Sequence, residues 1–174
     1  MTTIIIPTII VTTIIVIIYN NIVHLKNTIK NSKALIDVYL QQRFDLIPNL
    51  VEVTKGYMKH ENDVLSRIAS LRASYNANKD ISTGMSLNNE YANILGIIES
   101  HPELKANENF LKLQKALDKV ESQLQAARRI YNMDVTKYNT RITIVPFNIF
   151  AIIFGFKEEK LFEAEKDART NVKV

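Results

Sequence analysis

Residues 4–18 read IIIPTIIVTTIIVII, and no side chain among residues 1–23 carries a charge. Such a run leaves few folds open, because it has no polar face to turn toward water. Its eleven Ile and Val residues together favour bilayer insertion by roughly 3–6 kcal/mol. Counted over residues 2–21, the stretch is about 20 residues, which at 1.5 Å per residue matches the ~30 Å hydrocarbon core. Pro7 falls in the first turns, where a missing N–H costs least, and Tyr19 falls at the expected interface depth. A cleaved signal peptide would carry a basic start and a small-residue cleavage site, and the run has neither. A buried strand would suit the β-branched composition but not the length, and no partner strands follow. The reading is a membrane helix over residues 1–23, with residues 2–23 in contact with the lipid bilayer. Lys26, Lys30 and Lys33 follow the span and no charged side chain precedes it. The positive-inside rule therefore predicts a single-pass protein of the cell membrane, N-terminus outside and body in the cytoplasm.

The remaining residues leave room for one domain of about 150 residues. With no Cys, disulfide and thiolate chemistry are excluded, and four Gly and four Pro in 174 residues favour long helices over a turn-rich β fold. Lys and Arg total 22 against 18 Asp and Glu, a formal charge of +4. The charges are interspersed, so the expected partners do not include nucleic acid, and most charged positions read as solvated helix faces.

From residue 22 the pattern turns amphipathic. Ile22, Leu25, Ile29, Ile36, Leu40 and Phe44 fall at helical spacing, and no Gly or Pro interrupts residues 8–47. The membrane helix is thus expected to continue into the first helix of the body, with Pro48 ending or kinking it. A second helix is expected over 48–76, where residues 47, 50, 54, 57, 61, 64, 68, 71 and 75 step by three and four. Residues 76–85 read as a loop, and 86–99 as a short third helix ended by Pro102. The fourth and longest helix is expected over 107–144. Positions 110, 117, 124, 131, 138 and 145 are Phe, Leu, Leu, Tyr, Tyr and Val. The companion apolar position drifts from Leu113, Val120 and Ala127 to Val135 and Ile142, as a nearly straight helix requires. Pro146 stops it. The fold class predicted is all-α: an N-terminal transmembrane helix, an antiparallel up-and-down four-helix bundle over 24–156, and a charged tail over 157–174.

Residues 147–156 are strongly apolar but too short to span a bilayer. They either close the end of the core or lie in the membrane interface. The second alternative follows from an up-and-down topology, which brings the fourth helix back to the bilayer. Phe147, Ile149, Phe150, Ile153, Phe154 and Phe156 are its candidate contacts.

No catalytic, cofactor or metal motif is complete. His60-Glu61 begins like a zinc-protease helix but lacks the second His at i+4. No Glu-x-x-His pair, phosphate-binding Gly loop or Gly-x-Ser-x-Gly occurs, and His24, His60 and His101 are the only histidines. A hydrolase using His60 and Glu61 is the enzyme alternative. More conspicuous are polar residues set within apolar helix: Asp37, Arg43, Asp45, Asn49, Lys55, His60 and Glu61, and further on Arg128, Arg129, Asn132 and Asn139. Buried polar groups demand partners. These residues are candidates for a hydrogen-bonded network that fixes register, or for a groove that takes a partner peptide or lipid headgroup.

The same segments carry a family resemblance. IDVYLQQRFDLIPNLVEVTKGYMKHE (36–61), HPELKANENFLKLQ (101–114) and AARRIYNMDVTKYNTRITIVPFNIFAIIFGF (126–156) resemble the LemA family, as do the preceding apolar span and the charged tail. His101, where the family usually has an aromatic, and Val145, where Phe is common, depart from its pattern. The resemblance implies one N-terminal membrane helix and an antiparallel four-helix bundle in the cytoplasm, with no established enzymatic activity. Some relatives are associated with membrane remodelling, and others are encoded near a membrane metalloprotease of the HtpX kind. The expected role is therefore an interaction or scaffold protein without cofactor, whose protein partner is a membrane protease or a second copy. A lipid-binding or membrane-shaping role through 147–156 is the alternative.

Overall fold

The computed structural model describes residues 2–57, 61–79 and 86–162, and among them all regular structure is helical. In chain order the helices are α1 (Thr2–Val53), α2 (Glu61–Asn78), α3 (Leu87–Glu99), α4 (Pro102–Lys105), α5 (Glu108–Thr143) and α6 (Phe147–Ile153). The chain divides into two compact units, one of Met1–Ala34 with Ala127–Val174 and one of Leu35–Ala126. The long helices α1 and α5 each contribute to both.

Within the first unit, residues 4–14 and 16–17 of α1 are exposed, with Ile4 at 72% and Ile17 at 61%. A stripe of buried side chains begins at Ile18. Ile18, Ile22 and Ile29 meet Val135, Tyr138 and Ile142 of α5 and Ala151 of α6, with Leu25, Tyr131, Phe147, Phe150 and Phe156 packed around them. Steps of three and four along α1 and α5 put these residues on single faces. In the uncovered part of α1, the hydroxyls of Thr8, Thr12 and Thr13 donate to the carbonyls of Ile4, Thr8 and Ile9, each at 2.8 Å. The threonines therefore leave no hydroxyl proton unsatisfied in an apolar solvent.

The second unit draws its buried residues from five helices, α4 contributing Leu104. They include Ile36, Leu40, Phe44, Ile47 and Leu50 of α1, Val64, Ile68 and Tyr75 of α2, Leu87, Ile94 and Ile98 of α3, and Phe110, Leu117, Val120 and Leu124 of α5. Phe44 and Tyr75 stack with ring centroids 5.6 Å apart. Asn107 caps α5, its side-chain oxygen accepting from the N–H groups of Asn109 and Phe110 at 2.9 and 3.2 Å, as an N-terminal cap should.

Pro48 does not end the first helix. Phe44, Ile47, Leu50 and Val51 are all at most 1% exposed, and continuing the helix keeps all four in the core, which outweighs the missing proline hydrogen bond. The helix stops instead at Val53, followed by a turn in which Gly56 takes φ +91°, a conformation that favours glycine. The second helix accordingly begins at Glu61 rather than at residue 48. The helices expected over 86–99 and 107–144 lie within one residue of those limits at both ends, but the longest helix is α1, with 52 residues against 36 for α5, because Pro48 does not stop it.

Candidate functional site

The described polar residues singled out in the sequence fall into separate settings. In the second unit, Arg43 is 4% exposed because position 43 lies on the buried stripe of α1. Its guanidinium donates to Asn88 on α3 and lies 2.9 Å from Glu121 on α5. It also sits 5.6 Å from the centroid of the Tyr91 ring. Burial pulls the Arg43 pKa down and Glu121 opposes that shift, so the carboxylate offsets part of the cost of burying the charge. Asp37 is half-buried and accepts from the Tyr75 hydroxyl, with Lys79 3.4 Å away. Burial first, and then Asp37, push the Tyr75 phenol well above its ordinary value. Asp45 pairs with Arg72 at 2.6 Å on a solvated face. Arg67 grips Glu90 through two nitrogens at 2.8 and 3.2 Å. Asn49 and Lys55 are exposed, and Lys55 lies 3.6 Å from Glu52. His60 and the Glu61 side chain lie outside the described residues. Among the described residues, no three His, Asp or Glu side chains converge as metal ligands would.

The first unit holds a different kind of arrangement. After α6, Gly155 takes φ +72°, Gly155 N–H donates to Ile152 O and Phe156 N–H to Ala151 O. This helix-terminating motif turns the chain sharply. Residues 156–162 then run without helix along α5. Asn139 donates to the Glu159 carbonyl at 2.8 Å and accepts from the Glu159 N–H at 3.0 Å. Asn132 does the same for Phe162, at 3.0 and 2.7 Å. The hydroxyls of Tyr138 and Tyr131 donate to the carbonyls of Lys157 and Lys160 at 3.0 and 3.1 Å. Burial, assisted by Glu159, raises both phenol pKa values, which keeps them donors. Arg128 lies 5.1 Å over the Phe162 ring, and Lys26 lies 3.5 Å from Glu159. Arg129 is exposed. Beside Asn132, Met133, Asp134, Thr136 and Lys137 line an open depression of about 460 Å³.

Sequence reasoning singled out Asn132 and Asn139 but missed Tyr131 and Tyr138 as hydrogen-bond donors, reading them only as seam positions. The available signal was the Tyr-Asn pair repeated seven residues apart. It also missed Asn88, Glu90 and Glu121, which look like surface positions until the helices are packed.

The candidate interface residues divide by helix face. Phe147 and Phe150 face the core one turn apart, with Arg141 4.7 Å over the Phe147 ring. Phe156 is half-buried, and its ring lies 5.9 Å from that of Tyr19. Ile149, Ile153 and Phe154 are exposed, joined by Ile152 at 81% and Val145 at 75%. Phe154 meets the Tyr19 ring edge-on at 5.1 Å.

Fold and surface together define an all-helical protein with one N-terminal helix long and apolar enough to cross a membrane and a tail segment held by its backbone. The chain belongs to the LemA family, whose model matches residues 32–174. It is 26% identical over 158 residues to "Protein LemA" of Metamycoplasma hominis, covering 88% of this chain and 72% of that protein. It is similar also to "Magnetosome protein MamQ 2" of Paramagnetospirillum magneticum and "Magnetosome protein MamQ" of Magnetospirillum gryphiswaldense. The identities there are 24% and 22% over 180 residues, covering 86% of this chain and 66% of each relative. The chain thus spans just under two-thirds of the length of those two proteins.

Proposed function

We propose that this chain is a single-pass membrane protein whose body, an antiparallel four-helix bundle, is an interaction scaffold on the cytoplasmic side of the cell membrane. The observation that carries the reading is the uncovered part of α1. Residues 4–17 are apolar, the threonines there are satisfied within the helix, and the first buried side chain is Ile18. A helix of that kind is stable in hydrocarbon and is a liability in water. We take binding rather than catalysis as the role of the body, with a membrane protease or a second copy as its protein partner. The relatives named as magnetosome proteins support a place for such chains in a cellular assembly.

The chain has no cysteine, so single cysteines report topology directly. In intact cells, Thr2→Cys is expected to react with a membrane-impermeant maleimide and Lys112→Cys to react only after lysis. Labelling of Lys112→Cys in intact cells would reverse the orientation, and recovery of the chain in the soluble fraction would remove the anchor.

A contact of α6 with lipid is a second reading, favoured by the outward Ile149, Ile152 and Ile153 and by the Phe154–Tyr19 pair, which sets Phe154 beside the end of the membrane run. The substitutions Ile149→Asp, Ile152→Asp and Ile153→Asp spare the core, unlike changes at Phe147 or Phe150. In a chain lacking residues 1–17 they are expected to abolish flotation with anionic liposomes. Equal flotation with and without them would remove lipid contact by α6.

A further inference from the structure

The hold on residues 156–162 has a regular metre. Tyr138 takes the carbonyl of residue 157 and Asn139 takes both backbone groups of residue 159. Seven residues earlier on α5, Tyr131 takes the carbonyl of residue 160 and Asn132 both groups of residue 162. Seven helical residues rise about 10.5 Å, and three residues of extended chain cover about 9–10 Å. The Tyr-Asn repeat therefore stays in step with an extended peptide running antiparallel to the helix. All six bonds go to backbone atoms, so they do not depend on which side chains the peptide carries. Side-chain selection enters at every third residue: Phe156 in the core, Glu159 beside Lys26, and Phe162 under Arg128, while the residues between are exposed.

We propose that the Tyr131/Asn132 and Tyr138/Asn139 face of α5 is a peptide-binding site that reads backbone, and that in trans it takes residues 156–162 of a second copy. The segment that demonstrably fits the face is present in every copy. It hangs from a sharp turn at Gly155, and exchanging it remakes the same six bonds, so the two arrangements differ only by strain at the turn and by local concentration. Confinement to a membrane raises that concentration. The proposal rests on the reading of the chain as a membrane-anchored interaction protein and names its partner.

Two full-length variants separate the halves of the contact. Asn132→Ala/Asn139→Ala disables the face and frees the tail. Glu159→Pro/Phe162→Pro removes the two N–H groups that the asparagines accept, leaving the face open. Differently tagged copies are reconstituted together in phosphatidylcholine–phosphatidylglycerol vesicles, solubilised and captured. Capture between the two variants is expected to exceed capture within either variant by about tenfold. Equal capture in like and unlike pairs, or none in the unlike pair, overturns tail exchange. A labelled peptide of residues 156–162 is expected to bind the proline variant and to lose at least tenfold in affinity for the alanine variant; equal affinity overturns the site. Peptide binding without capture overturns the second copy as occupant and assigns the face to another protein's extended segment. Where the alanine variant loses helicity, Asn132→Asp/Asn139→Asp replaces it, keeping side-chain size while removing both donors. Loss of every variant from the vesicles would bear on the membrane anchor, since the peptide measurement needs no vesicle.

Discussion

The carboxamide of asparagine carries one acceptor and two donors on a short stem, so it can pair with both backbone groups of one extended residue. Asn132 and Asn139 do so for Phe162 and Glu159. Hydrogen exchange is expected to show the Phe162 and Glu159 amides protected, with Asn132→Ala releasing the first and Asn139→Ala the second. Each substitution should also cost about 1–2 kcal/mol in chemical denaturation, the usual scale for lost hydrogen bonds. The buried and half-buried tyrosines make a further prediction at this scale. Tyr75, Tyr91, Tyr131 and Tyr138 all have phenol pKa values raised above 10.0 in the fold, burial being the first cause. A group whose folded pKa is raised contributes stability that is complete below its unfolded pKa and is lost as pH rises through the folded one. Stability measured by denaturation should therefore be insensitive to these groups below pH 10 and fall above it. Tyr75→Phe should show a shallower alkaline decline than the parent chain.

Among the elements, α1 shows where local rules lose to packing. Pro48 is a helix breaker by its own chemistry, yet Phe44, Ile47, Leu50 and Val51 share one buried face only if the helix runs on. Because the proline brings only cost at a half-buried position, Pro48→Ala is expected to stabilise the protein by about 1–3 kcal/mol, read as a raised denaturation midpoint. The limits of α3 and α5 were legible because Pro102 and Pro146 mark where each pattern stops, and because α5 repeats an apolar residue every seven positions. The orientation of α6 was not. Seven residues drawn largely from Phe and Ile carry no polar face, and only packing against the cluster of Ile18, Ile22 and Ile29 of α1 and Val135, Tyr138 and Ile142 of α5 tells inward Phe147 and Phe150 from outward Ile149 and Ile152.

For the whole molecule, the uncovered start of α1 separates anchoring from folding. A chain beginning at Ile18 should keep the helicity of both units and lose membrane extraction behaviour, since residues 4–14 and 16–17 are exposed. Circular dichroism and carbonate extraction check the two halves, and a collapse of helicity would show that the apolar run supports the body. What the sequence by itself determined is the part governed by neighbours along the chain: an apolar span, a helical period, and the limits of α3 and α5. Partners distant in sequence were decided only by the tertiary structure. Arg43 finds Glu121 seventy-eight positions on, and Asn139 finds Glu159 across an intervening helix and turn. The reason is physical. Helical periodicity arises from bonds four residues long, whereas a buried charge or a free carboxamide is satisfied by whichever group the packed helices bring within 3 Å.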